Sequence, residues 1–364
     1  MRMLHLADLH IGKRLYGVSM LDEQRAVLTQ ILSIADERRV DVVLIAGDVY
    51  DKPAPSAEAV ELFDWFLTEL AGRERPVLII SGNHDSAERL AFGAALLEAR
   101  QVYLSPPYQG PLRRVTLEDA GGPVDFYLLP FVKPALVRPV YPEVEGYEAA
   151  VRAALTGLPA DRTRRNVLLA HQFVTGAAPS ESEERIVGGT EEVPASCFEG
   201  FNYVALGHLH RAQQAGAPHI RYGGSPLQYA FSEGAKTVTV VELDAARAVT
   251  AEQIPLQPPH PLRTLRGPLT ELLEGSSEDY LCAVLTDEFE LPDAAARLRA
   301  AYPNLLRVEY DNTRTRNQQV LELHARVDDM SPLEIFAELY QLQNGQALNE
   351  AQQEYLARRL EELP

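Results

Sequence analysis

The sequence predicts an α/β fold with a large first domain over residues 1–255, a small α+β unit over 262–328 and a helical tail over 331–364. Three observations lead there. Through the first 100 or so residues, short apolar runs alternate with stretches of helical period, the pattern of βαβ units with parallel strands and right-handed crossovers. Four prolines between Pro255 and Pro261 mark a linker. Beyond it strand signals thin out, and from Pro332 only helical spacing remains.

The first apolar run, Met3 to Ala7, stops at Asp8-Leu9-His10. From Leu21 to Arg39 the positions Val27, Leu28, Ile31, Leu32 and Ala35 recur at helical spacing, and Val42 to Ala46 reads as the second strand, ending in Gly47-Asp48-Val49-Tyr50-Asp51. A helix over 56–71 follows the breakers Pro53 and Pro55. Its stripe of Val60, Phe63, Phe66, Leu67 and Leu70 is expected to face the core, with Leu62, Trp65 and Glu69 on other faces. Pro76 to Ile80 is a third strand ending in Ser81-Gly82-Asn83-His84-Asp85, and a helix over 87–99 comes next.

Strands are then expected at 124–129, 166–170 and 203–206, with a helix over 146–155 between the first two. The run at 166–170 ends at His171, and the run at 203–206 ends in Gly207-His208-Leu209-His210. Residues 175–195 form a long polar loop, a length associated with function or mobility. Arg221 to Pro226 and Lys236 to Leu243 read as closing strands of a second sheet. In the small unit, strands at 280–285 and 305–310 flank a helix over 293–301.

At 364 residues the chain is long for one domain at about 150 residues each. Hydrophobic residues at 46% and charged residues at 24% give an ordinary globular balance, and no apolar run approaches the ~18 residues of a membrane span. The first residues lack the apolar core of a signal peptide, so the protein is expected to be cytoplasmic, with no membrane partner. Cys197 and Cys282 have neither zinc spacing nor a disulfide pattern and read as inert core residues. A net charge of −18 argues against long-range attraction to nucleic acid. It does not exclude such a substrate, because bound metal ions carry charge that a residue count omits and local spots such as Lys13-Arg14 remain.

Five apolar runs of the first domain end in residues of metal-ligand type: Asp8 and His10, Asp48, Asn83 and His84, His171, and His208 and His210. Five of the nine histidines therefore sit just past strand ends. His5, inside a strand, reads as a satisfied core histidine, and His219, His260 and His324 as surface or linker residues. Oxygen and imidazole ligands without thiolate suit Mn, Fe or Zn. There are too many for one ion. Two ions about 3.5–4 Å apart, sharing a bridging carboxylate, activate a water and neutralise an attacked phosphate.

In this order, Asp8-Leu9-His10, Gly47-Asp48-Val49-Tyr50-Asp51, Gly82-Asn83-His84-Asp85, His171 and Gly207-His208-Leu209-His210 resemble the motifs of the calcineurin-like metallophosphoesterases. Leu6 to Gly12, Ala170-His171-Gln172-Phe173 and Gly223-Gly224-Ser225-Pro226-Leu227 are similar to its SbcD branch, bacterial nuclease subunits related to the eukaryotic double-strand-break repair nuclease. The resemblance implies a β-sandwich flanked by helices over 1–255, a DNA-binding cap over 262–328 and, over 331–364, a tail that binds an SbcC-type ATPase. It gives Asp8, His10, Asp48 and His210 to one ion and Asp48, Asn83, His171 and His208 to the other, with manganese the usual metal.

His84 is then left for the scissile phosphate or the leaving oxygen, and Asp85 for orienting it. The implied activity is 3′–5′ exonuclease and endonuclease cleavage of DNA ends and hairpins in repair. A homodimer is implied through the helices near 56–71 and 86–99. The competing reading is a phosphoesterase for a small molecule or a protein, using the same ions. The acidic charge leans toward it, and the appended cap and tail lean against it.

Overall fold

The computed structural model describes residues 1–159, 161–183, 191–289 and 291–315, and beyond these only residues 333, 336, 337, 340, 341, 347–349, 352, 353, 355 and 356. The expected tail over 331–364 therefore lies largely outside the described residues, as does His324. The chain divides into two compact units, Met1–Pro261 and Leu262–Pro364. No helix among the described residues is long and apolar enough to cross a membrane.

The first unit is a sandwich of two six-stranded sheets. One sheet runs Val249–Pro255, Thr237–Leu243, Arg2–Leu6, Val42–Ala46, Val77–Ile80 and Val102–Leu104, the last four parallel to one another. The other runs Gln213–Ala215, Ala217–Tyr222, Tyr203–Gly207, Arg165–His171, Gly122–Leu128 and Arg113–Asp119, with a parallel centre and antiparallel edges. The period of two along each strand decides which side a residue serves. Val167 and Leu169, with Tyr203 and Ala205, point into the core shared with Val42, Leu44, Leu78 and Ile80 of the first sheet. Their neighbours Leu168, Ala170, Val204 and Leu206 point the other way, onto Ala150, Val151 and Ala154 of the helix Gly146–Ala154.

Helix Leu21–Glu37 buries Val27, Leu28, Ile31, Leu32 and Ala35 and carries Asp22 and Glu23 in its first turn, where the helix dipole favours acids. It stops where Arg39 turns to a φ of 50°. Helix Ala57–Gly72 starts at Ser56, whose Oγ accepts from the Ala59 N–H at 3.3 Å.

Four expectations need correction. Thr237–Leu243 pairs antiparallel with Arg2–Leu6 in the first sheet, not the second. Its inward residues Val241 and Leu243 join a core that both sheets share, so an apolar pattern alone does not choose between them. Helix Ala57–Gly72 buries Ala59, Leu62, Phe63, Phe66 and Leu70, while Val60 is 45% exposed. Its buried stripe is rotated from the one expected. Residues 87–99 are not one helix: Gly93 at φ 72° separates Ala87–Leu90 from Ala94–Leu97. Several unforeseen strands, including Arg113–Asp119 and Val249–Pro255, are sheet edges that expose most of their residues and so lack a strong pattern.

The second unit holds a three-stranded parallel sheet of Leu262–Gly267, Tyr280–Leu285 and Leu305–Tyr310. Helix Ala294–Ala301 packs on it through Ala294 and Leu298, against Leu281, Ala283, Leu285 and Leu305. Cys197 and Cys282 are both free and buried, and burial pushes each thiol up to about 11.

Candidate metal centre

The carboxyl ends of the parallel strands in both sheets point the same way, the place where open α/β sheets build their sites. Arg2–Leu6, Val42–Ala46 and Val77–Ile80 deliver Asp8 with His10, Asp48, and Asn83 with His84. Arg165–His171 and Tyr203–Gly207 deliver His171, and His208 with His210. The loops are tied by backbone bonds, Asp8 N–H to Gly47 O at 3.1 Å and His10 N–H to Asp48 O at 3.0 Å. Asp8, His10, Asp48 and His208 all take positive φ, at 52°, 43°, 49° and 104°.

Two glycines are required by close approach. A Cβ on Gly82 would fall on the Asp48 carboxylate, and one on Gly207 on the Ala46 carbonyl oxygen, where the two sheets meet.

Three overlapping groups have ligand atoms within 4.8 Å of one another: Asp8, His10 and His210; Asp8, Asp48 and His171; and His10, Asp48 and His84. Asn83 joins through Oδ1, which is 2.9 Å from His171 Nε2 and 3.1 Å from His208 Nδ1. All seven expected ligands and His84 therefore meet at one place.

The donor set fits cations. His171 Nδ1 lies 2.8 Å from the Ala46 carbonyl, which can only accept, so Nδ1 carries the hydrogen. Nε2 then faces the Asp48 carboxylate, 3.3 Å away, as a place for either a proton or a metal ion. His10 Nε2 faces His210 Nε2 at 3.0 Å and Asp48 Oδ2 at 3.7 Å. Asp8 Oδ2 and His10 Nδ1 are buried with no hydrogen-bond partner. A carboxylate oxygen that can only accept, and an imidazole nitrogen, both buried without a partner, suit a cation.

The protonation equilibria say the same. Burial pushes the Asp8 carboxyl up to about 7 and lowers His208 to about 3, with His10 well below the ordinary imidazole value. His171 goes the other way, up to about 9: burial opposes this, and the Asp48 carboxylate overcomes it. A proton on His171 supplies charge that a divalent ion would supply better.

His84 is half-buried, edge-on to His10 with ring centroids 4.9 Å apart. Its Nδ1 faces the Asp51 carbonyl at 3.2 Å, and its backbone N–H donates to Asp48 Oδ1 at 2.9 Å. Asp85, expected to orient His84, has another task. Its carboxylate accepts from the N–H groups of Gly82, Val49 and Tyr50 at 2.9, 3.1 and 3.0 Å and so clamps two ligand loops together. Burial, and then Asp48, pushes it up to about 6 against those bonds.

Several site residues escape sequence reasoning. His210 is held by Ser182 and Glu183 from the long polar loop and by Glu233 and Lys236 from beyond the strand Ala217–Tyr222. Lys13 and Asp51, 2.8 Å apart, stand beside His10. The 175–195 loop was signalled by its length and acidity, Lys13 by the basic spot Lys13-Arg14 and Asp51 by the Gly47–Asp51 motif, whereas nothing marked Glu233 or Lys236. His5 bonds Tyr203 Oη and the Leu206 carbonyl at 2.9 and 3.1 Å, a core histidine as its position inside a strand suggests.

Comparison with known proteins follows the same lines. Residues 1–212 match the family model for calcineurin-like phosphoesterases, and residues 258–344 match SbcD_C, described as the type 5 capsule protein repressor C-terminal domain. The chain is 31% identical over 324 residues to the SbcD subunit of the SbcCD nuclease of Staphylococcus epidermidis, covering 84% of each chain. Among solved structures, TT1561 of Thermus thermophilus matches 69% of this chain and 98% of its own at 14% identity and a TM-score of 0.40. Yfce, a phosphoesterase from E. coli, matches 71% and 100% at 13% identity and a TM-score of 0.26. At these scores the two structures carry no weight in the assignment. Two family models in their expected order and a curated relative along most of its length do: the chain belongs to the SbcD family of calcineurin-like phosphoesterases.

Proposed function

We propose that this protein is the divalent-metal-dependent DNA nuclease subunit of an ATPase–nuclease pair, cutting phosphodiesters at DNA ends and hairpins in repair. The observation that carries the reading is the convergence of buried acceptors, with Asp8 Oδ2 lacking any hydrogen-bond partner, on ground shared by the ends of both sheets. Asp8, His10, Asp48 and His210 would hold one ion, and Asp48, Asn83, His171 and His208 the other, with manganese the expected metal. When bound, the ions supply an activated water and neutralise charge on the attacked phosphate.

The chain's own residues do the rest. Asp48 would be shared by both ions, and its position is set by the His84 N–H on Oδ1. His84 donates from Nδ1 to the Asp51 carbonyl, which leaves Nε2 for the phosphate or the leaving 3′-oxygen, to which it donates when the ring is in its imidazolium form. Asp85 holds the Asp48 and Asn83 loops at fixed spacing through three backbone bonds.

Two assembly contacts belong to the reading. Phe92 and Leu96, 87% and 81% exposed, are the support for a homodimer through this segment, which light scattering checks against twice the chain mass. The unit from Leu262 serves as the DNA-binding cap, and the segment after Met330 binds an SbcC-type ATPase. Truncation after Met330 is expected to abolish co-purification with that partner while leaving cleavage intact.

The net charge of −18 favours the alternative, a phosphoesterase for small or protein substrates. Manganese-dependent cleavage of end-labelled duplex and hairpin DNA, run beside a chromogenic phosphodiester, decides between them. Turnover of the chromogenic substrate with intact DNA would sink the nuclease reading.

A further inference from the structure

Of the histidines around the centre, His210 is held most completely, and by residues outside the ligand set. Its backbone N–H donates to Glu183 Oε1 at 2.6 Å, and its carbonyl accepts from Lys236 Nζ at 2.8 Å. Its ring Nδ1 lies 2.6 Å from Ser182 Oγ. Ser182 in turn bonds Glu233 Oε1, and Glu233 Oε2 takes Lys236 Nζ at 2.6 Å and the Tyr229 N–H at 3.1 Å. Lys236 spends its remaining donor on Ser225 Oγ at 2.8 Å. Glu233 and Lys236 are 5% and 7% exposed, too buried for a surface ion pair of convenience.

Donor and acceptor accounting fixes the direction of this chain. Glu233 Oε2 already receives the Lys236 ammonium and the Tyr229 N–H, so Glu233 is the carboxylate of a buried ion pair and can only accept. The Ser182 hydroxyl has one hydrogen, and it goes to Glu233; Ser180 Oγ, 2.9 Å from Ser182 Oγ, sends its own hydrogen to Glu183 Oε2 at 2.8 Å. Ser182 Oγ is therefore an acceptor toward His210, and the hydrogen between them belongs to Nδ1. That leaves Nε2 bare, facing His10 Nε2 at 3.0 Å and the Asp8 side of the centre. The contrast with His10 is direct: its Nδ1 has no hydrogen-bond partner, and the Asp51 carboxylate stands 3.8 Å from it.

We propose that Ser182 and Glu233, with Lys236 behind them, are positioning residues that preset His210 as an Nε2 ligand for the ion shared with Asp8 and His10. The inference rests on the two-ion reading above and deepens it. It gives the polar loop over 175–195 a task, carrying a hydroxyl to the back of a ligand. It also makes the two ions unequal, since His171 takes its orientation from the Ala46 carbonyl and needs no side chain for it. Outer partners of metal-bound histidines typically alter metal affinity by roughly 10- to 100-fold.

The test is a manganese titration of the chelator-stripped full chain by calorimetry and electron paramagnetic resonance, which counts binding events without asking for activity. The unaltered protein is expected to bind two ions. Ser182→Ala and Glu233→Gln should each weaken one event by roughly 10- to 100-fold and leave the other unchanged, and Ser182→Thr, which keeps the hydroxyl, should restore it. Glu233→Gln is informative because an amide N–H can donate to Ser182, turning its hydroxyl toward Nδ1 and forcing the imidazole hydrogen onto Nε2. Equal weakening of both events would mean a general structural role and would overturn the proposal, as would no weakening at all. If the unaltered protein bound no ion, the two-ion reading itself would fall.

Discussion

The two sheets of the first unit contribute unlike halves of the centre. The first brings the oxygens of Asp8, Asp48 and Asn83, with His10 and His84 on the same loops; the second brings imidazoles alone, His171, His208 and His210. The loops of the first sheet are fixed through backbone, by left-handed turns and the Asp85 clamp. The imidazoles of the second are fixed at their far nitrogens, His171 by a carbonyl and His210 by a hydroxyl. One half alone would be an unbalanced acidic cluster, and the other a set of neutral rings with weak affinity. The difference teaches that packing between the sheets is itself part of the site.

That comparison can be broken most severely at Asp48, whose carboxylate lies 3.7 Å from His10 and 3.3 Å from His171. Asp48→Ala should lose both ions in elemental analysis and lower cleavage by at least roughly 10³-fold. His84→Ala tests whether every loop residue of the first sheet is a ligand. It should retain both ions by calorimetry and lose roughly 10²-fold in turnover, and loss of an ion instead would make His84 a ligand, as its grouping with His10 and Asp48 permits.

Gly207→Ala tests the junction. Its added Cβ meets the Ala46 carbonyl, so the sheets must part, at a cost of about 1–3 kcal/mol in urea unfolding of the chelated protein. Metal affinity should fall with it, although no ligand has changed.

The smallest effect lies at the other end of the sandwich. Asp119 of the second sheet pairs with Arg165 at 3.0 Å and with the Met1 ammonium at 2.5 Å, which also bonds the Leu243 carbonyl of the first. Arg165 first, and then the ammonium, hold its carboxyl well below the usual range. A lowered folded value means that this stabilisation is complete above the ordinary carboxylate pKa of about 3.9 and is lost as the pH falls toward the lowered one. Asp119→Asn should remove that share of the acid dependence. Unfolding followed from pH 5 downward, as about a carboxylate's range demands, would show a shallower decline than in the unaltered protein.

Much of this was legible because ligands at strand ends leave a linear mark: an apolar run, then Asp, Asn or His within a few residues. What surrounds them leaves none. Ser182 and Glu233 are 51 residues apart, and nothing local to either announces a shared bond. Asp85 illustrates a subtler limit, since adjacency to His84 suggested a partnership that the turn denies by aiming the carboxylate at Val49 and Tyr50. Thr237–Leu243 could be recognised as a strand but not assigned a sheet, because inward valines suit either layer of a shared core. Helix Ala57–Gly72 had apolar residues on more than one face, and packing chose Leu62 over Val60.

The positive φ angles at Asp8, His10, Asp48 and His208 carry an evolutionary consequence. Each holds an L-residue in a backbone state that costs about 1 kcal/mol or more and that glycine would occupy freely. A population selected only for thermal stability should therefore drift toward glycine at these positions and discard its ligands one by one. Screens for hardier variants of this protein would reward inactivation, so they need a catalytic counter-selection from the first round.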